Sequence, residues 1–140
     1  MNKGFTLLEV VIVLALLMTG LVFALPAYNA ITVEKEEKRF FELLRNDIYF
    51  AQSLAYGSKN TVSVFFRTNP SRYEVGEGLI NPLIYRQTPK TVAIKNSNLG
   101  MISYGTSGSV LASGTIQFET STGLKTIVVH LGKGRVVFSE

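Results

Sequence analysis

Twenty-one consecutive residues, Phe5–Leu25, carry a single ionisable side chain, Glu9, and no other feature constrains this chain as strongly. As a helix the run reaches about 30 Å, the hydrocarbon thickness of a bilayer. A carboxylate inside such a segment is costly to bury, so Glu9 demands a partner in the membrane or afterwards. The run sits behind Met1-Asn2-Lys3-Gly4 and ends at Pro26.

Three readings compete for this segment. A secretory signal peptide needs a shorter apolar stretch and a small-x-small cleavage site. Leu25-Pro26-Ala27 and Tyr28-Asn29-Ala30 each place a large residue where a small one is needed, and a chain without cysteine cannot be lipidated at a lipobox thiol. A plain signal anchor fits the length, with Lys3 holding the short end in the cytoplasm. It leaves Glu9 without a purpose. The third reading gives Glu9 one. Gly4-Phe5-Thr6-Leu7-Leu8-Glu9-Val10 resembles the processing motif of type IV pilins and pseudopilins. The resemblance implies that a prepilin peptidase cuts between Gly4 and Phe5 and methylates the new amino terminus at Phe5. Glu9 becomes the fifth residue of the mature chain, where this family keeps a glutamate. A cationic amine on Phe5 of one subunit can then pair with Glu9 of its neighbour. Such a buried pair adds little net stability but fixes the register of one helix against the next.

Length allows one domain beyond the anchor. The residues from Gly57 onward are enough for a small core, which must hold by packing because no disulfide is available. Charge is uneven: Glu34–Tyr56 carries −1 and Gly57–Glu140 carries +5. The expected organisation is a leader (1–4), an N-terminal helix (5–56, with 5–25 as membrane anchor and filament core) and a C-terminal β domain (57–140). Pro26 predicts a kink or local unwinding near Leu21–Val22. Beyond it Phe40, Leu44, Ile48, Ala51 and Ala55 form an apolar stripe, widened by Phe41 and Leu54, for the β domain to cover. Glu34, Lys38, Arg45 and Gln52 take the opposite face. Gly57-Ser58 is the expected helix end.

Strands are predicted at Thr61–Phe66, Arg72–Val75, Leu83–Gln87, Thr91–Ile94, Leu99–Tyr104, Thr115–Glu119, Lys125–Leu131 and Arg135–Ser139. Gly105–Gly114 reads as a flexible surface loop and Gly132-Lys133-Gly134 as a tight turn. The fold class is α+β, a long N-terminal helix on a small antiparallel sheet. Nothing suggests an enzyme. The one histidine, His130, reads as a strand residue on the less-buried face. No His/Cys cluster has zinc spacing, and the glycine turn lacks a P-loop frame. No cofactor or metal is expected.

Pro26-Ala27-Tyr28, Leu44-Arg45-Asn46-Asp47-Ile48 with Ala51-Gln52, and the ending Ile127–Val136 narrow the resemblance to competence pseudopilins, the last with a Gly-x-Gly-Arg turn shared by GspH/FimT-like pseudopilins. This implies a minor pilin of a competence pilus in a Gram-positive bacterium, taking up extracellular DNA in transformation. It also implies a single-pass membrane protein with its C-terminal domain outside the cytoplasm, displayed at the cell surface once assembled. The implied partners are a major pilin, other minor pilins, the prepilin peptidase, an assembly ATPase, a polytopic membrane protein and the membrane. The alternatives are a type II secretion pseudopilin and a membrane-anchored binding domain that never polymerises. Lys133, Arg135 and Lys125 are candidate DNA contacts at the glycine turn. Arg67, Arg72, Arg86, Lys90 and Lys95 add charge, with Tyr73 and Tyr85 as stacking surfaces.

Overall fold

The computed structural model describes residues 4, 6–78, 81–132 and 134–139, without the side chains of 23–27. The chain divides into two units, Met1–Lys35 and Glu36–Glu140, with the boundary inside the single helix α1 (Leu7–Ser58).

In the first unit α1 begins at Leu7. Thr6 supplies its N-cap: its hydroxyl accepts the Glu9 N–H at 3.3 Å, and its carbonyl accepts the Val10 N–H at 3.2 Å. The helix is continuous through Leu21–Pro26, so the local unwinding expected there is not found. Apolar side chains from Leu7 to Val22 are exposed. Among the described residues no helix is long and apolar enough to cross a membrane. The described side chains stop at Val22 and resume at Tyr28, so the Phe5–Leu25 run is not covered as a whole.

In the second unit the apolar stripe behaves as its spacing requires. Phe40, Phe41, Leu44, Ile48, Ala51 and Ala55 are buried, and Leu54 packs on them half-buried. Residues three and four apart share one helix face, and here that face meets the strands. α1 ends at Ser58, two residues beyond the expected Tyr56. Gly57 is still helical, and the left-handed residue is Lys59 (φ 58°), whose ammonium lies 4.0 Å from the Tyr56 ring centroid.

Among the described residues eight strands follow: β1 (Val62–Thr68), β2 (Ser71–Gly76), β3 (Ile84–Gln87), β4 (Ala93–Ser97), β5 (Met101–Tyr104), β6 (Gly114–Thr120), β7 (Gly123–Val129) and β8 (Val136–Ser139). They form two antiparallel four-stranded sheets, β3-β2-β1-β5 and β4-β6-β7-β8, where a single sheet was expected. Val62, Val64, Tyr73, Val75, Ile102 and Tyr104 face the core from the first sheet. Ile116, Phe118, Ile127, Val129 and Val136 face it from the second. Edge-to-face aromatic contacts tie helix to sheets: Phe41 to Phe118 at 5.5 Å and Phe40 to Tyr73 at 5.8 Å. Phe66 on β1 meets Phe118 on β6 at 6.0 Å and so joins the two sheets.

The Gly105–Gly114 segment is more than a surface loop. Val110 is buried and bridges Tyr104 at the end of β5 to Gly132 beyond β7, stitching one sheet to the other. A turn closed by Gly105 N–H to the Ser109 carbonyl at 2.9 Å presents it. Gln52, placed on the solvent face by the sequence pattern, instead donates to the Gly108 carbonyl at 2.9 Å and is half-buried.

Candidate functional site

The expected processing site lies at the head of α1. Gly4 is exposed and precedes the helix; Phe5 lies outside the described residues. Glu9 is exposed in the first turn, where a carboxylate favours the positive end of the helix dipole. Among the described residues no cation pairs with it. Thr6 and Glu9 stand three apart, so the residue that caps the helix through its hydroxyl and the lone acid of the run occupy one turn. Gly4 and Glu9 are both exposed, on a helix whose surrounding described side chains are apolar.

The glycine turn is built by packing. Gly132 and Gly134 both have positive φ (98° and 73°), which favours glycine at each. At Gly134 a Cβ would lie 2.7 Å from Gln52 Nε2 and 2.9 Å from Tyr104 Cε1, so nothing larger than hydrogen fits without displacement. The turn therefore sits directly on α1 and β5. His130 is exposed just past β7, and its N–H donates to the Arg135 carbonyl at 3.0 Å, closing the hairpin.

Of the candidate DNA contacts, Arg135 and Lys125 do not gather. Arg135 is exposed without an acidic partner among the described residues, and Lys133 lies outside them. Lys125 is at the other end of β7, with its ammonium 5.3 Å from the Phe41 ring centroid; this half-buried position replaces the exposed cluster expected of it. Four of the five middle cations carry ion pairs. Arg86 binds Asp47 at 2.6 Å, Arg72 and Arg67 reach Glu74 at 2.6 and 3.5 Å, and Lys95 reaches Glu119 at 3.1 Å. The hydrogen bond from Arg72, which outweighs the burial penalty, holds the Glu74 carboxyl below the usual carboxylate range. Tyr73 is fully buried and cannot stack on a base; Tyr85 is exposed and can.

Three buried acids were not anticipated, Glu74 on β2 and two on α1, Asp47 and Glu37. Asp47 on α1 accepts from the Tyr73 hydroxyl at 2.6 Å and from Arg86 Nε at 2.6 Å, joining the helix to β2 and β3. Burial first, and then Asp47, push the Tyr73 phenol up. Glu37 accepts from the N–H and hydroxyl of Ser121 in the β6–β7 turn. The signal was present in the spacing. Glu37 stands three before Phe40, and Asp47 stands three after Leu44 and four before Ala51, on the buried face.

The prokaryotic N-terminal methylation motif matches residues 1–25. Two crystal forms of the type IV minor pilin FimU of Pseudomonas aeruginosa are similar in structure. In space group P21 the TM-score is 0.63 at 13% identity, covering 79% of this chain and 92% of that one. In space group P65 it is 0.57 at 14% identity, covering 71% and 89%. A comparison with the curated proteins gives no match. In its N-terminal motif and its fold the chain resembles type IV pilins. Its likeness in fold is to a minor pilin.

Proposed function

We propose that this chain is a minor pseudopilin of a competence type IV pilus, similar to ComGD, serving uptake of extracellular DNA. It is cut between Gly4 and Phe5 by a prepilin peptidase and methylated at Phe5. Phe5–Leu25 anchors it once through the membrane, with the C-terminal domain outside the cytoplasm. It then joins a filament of a major pilin and other minor pilins, raised by an ATPase and a polytopic membrane protein, in which Glu9 sets the register.

The observation that carries this reading is a methylation motif at the head of a minor-pilin fold. Its competence assignment draws support from a contact. The two separated segments that resemble a competence subunit, Leu44–Gln52 and Ile127–Val136, meet where Gly134 packs against Gln52. Resemblance at two distant stretches thus falls on one packed unit.

Replacing Glu9 tests the assembly step. In Glu9→Ala the apolar run is longer and no less able to insert, so the protein should reach the membrane while transformation is lost. Normal transformation by that variant refutes assembly through Glu9.

A further inference from the structure

We propose that β3 is a docking edge for an extended acidic segment of another protein, which adds to the first sheet as a fifth strand. The inference needs neither DNA uptake nor assembly through Glu9.

Each sheet has two edge strands, β3 and β5 in the first, β4 and β8 in the second. An unpaired edge is a row of open N–H and C=O groups, and folds guard such rows. Three of the four are guarded here. On β5 the Ser103 carbonyl accepts the Leu111 N–H at 2.9 Å, and Tyr104 bridges Val110. On β4 the register shifts between Ile94 and Asn96, and exposed Lys95 stands at the shift. On β8 Val136 is buried, and the Arg45 guanidinium lies 4.7 Å from the Phe138 ring centroid. β3 has no comparable guard among the described residues. Its pairing with β2 is unshifted, and Tyr85 and Gln87 are exposed.

The phase of the ladder decides which groups are open. The Thr88 N–H donates to the Ser71 carbonyl at 3.2 Å, in line with the register of β3 on β2. Bonded pairs alternate along an antiparallel ladder, so Ile84 and Arg86 turn their backbone groups to β2. Tyr85 and Gln87 turn theirs outward. The same alternation sorts the side chains. Ile84 packs on the core and Arg86 binds Asp47, whereas Tyr85 and Gln87 stand on the opposite, outer face. A fifth strand, antiparallel like every pair in this sheet, meets them with the N–H groups of its own outer-face residues.

That outer face favours acid. Gln87 stands opposite Arg72, and Arg72 opposite Arg67. The two arginines share one carboxylate, Glu74, at 2.6 and 3.5 Å, so one positive charge stays uncompensated. Arg72 reaches toward the edge, with its Cζ 5.4 Å from the Tyr85 ring centroid. A fifth strand lies two strand spacings from β2, about 10 Å, a span that an arginine and a glutamate close between them. The inner face favours apolar side chains, because beside Ile84 the charge of Arg86 is already met by Asp47 at 2.6 Å. The occupant therefore alternates acidic and apolar residues, with main-chain bonds giving affinity and alternate side chains giving specificity. A second copy fits poorly: Leu83–Gln87 contains no acid, and Gly57–Glu140 of that copy brings the same charge of +5.

The test uses the full-length chain in detergent and a dye-labelled short peptide of alternating glutamate and valine, with binding followed by fluorescence anisotropy. The wild type should bind it, less tightly as salt rises, and should not bind a lysine–valine peptide. Methylating the glutamate nitrogens, which face β3, should abolish binding; methylating the valine nitrogens should spare it. Gln87→Pro removes one outward N–H and no bond to β2. It should weaken binding about tenfold, one net hydrogen bond's share, while Gln87→Ala retains most of it. Arg72→Gln should weaken binding and flatten its salt dependence. If Gln87→Pro loses its folded circular dichroism spectrum, the methylated peptides decide alone, since they leave the protein unaltered. The proposal is overturned if the wild type ignores the glutamate–valine peptide, if the lysine–valine peptide binds as well, or if methylated glutamate nitrogens change nothing. A concentration-dependent dimer in sedimentation, dissolved by Gln87→Pro, would overturn it in favour of a second copy at the edge.

Discussion

The N–H and the hydroxyl of Ser121 both donate to the carboxylate of Glu37, at 2.9 Å each, across 84 residues of sequence. The contact pins the β6–β7 turn to the start of the α1 segment that packs on the sheets. Burial by itself raises the pKa of Glu37. Hydrogen bonds from Thr91 and Ser121, together with the charge of Lys125, outweigh it and hold the carboxyl below its ordinary value. A carboxyl with a lower pKa when folded contributes stability above its unfolded pKa and loses it as pH falls through the folded one. The melting temperature should therefore drop as the solution is acidified below the ordinary carboxylate pKa, and Glu37→Gln should flatten that drop. Equal acid sensitivity in wild type and variant would remove Glu37 as a cause.

Asp47 holds a second helix-to-sheet tie. Asp47→Ala leaves the buried Tyr73 hydroxyl without its acceptor and Arg86 without its counter-ion, at a cost of about 3 kcal/mol. Tyr73→Phe removes one of the three hydrogen bonds to Asp47 and should cost about 1 kcal/mol. Denaturant unfolding of both single variants and the double variant checks the coupling; strictly additive losses would mean the three groups do not act together.

Three glycines separate packing from backbone effects. Gly134→Ala meets both a positive φ and side-chain atoms nearer than a Cβ tolerates, and should cost about 3 kcal/mol. Gly132→Ala has open space and a positive φ only, so about 1 kcal/mol is expected. Gly57→Ala should stabilise by about 0.5–1 kcal/mol, because Gly57 is helical with open space around its Cα. Were Gly57 the left-handed cap instead, the sign at that position would reverse.

That reversal shows how the sequence can mislead about a helix end. Glycine is the usual left-handed residue, yet Lys59 adopts that conformation here and α1 runs through Gly57. The apolar stripe from Phe40 to Ala55 was legible because one face of a helix repeats every three or four residues, and the strands were legible from their apolar runs and the glycines and prolines between them. The division into two sheets was not. It depends on β5 returning to β1 and β4 pairing with β6, long-range choices that local composition does not encode. Gln52 and Tyr73 were misplaced for a related reason. Polar tips suggested solvent, whereas each finds its partner inside, Gly108 for one and Asp47 for the other. At the N-terminus the methylation motif was readable, because it is written in consecutive residues.

The pilin reading depends on an amine at Phe5 that exists only after cleavage. Intact mass and fragment spectra of the protein purified from its host membranes measure this directly. The account predicts a chain lacking Met1–Gly4, beginning at Phe5 and carrying one N-methyl group. A mature chain that still begins at Met1, unmethylated, would contradict it and leave Glu9 without its partner.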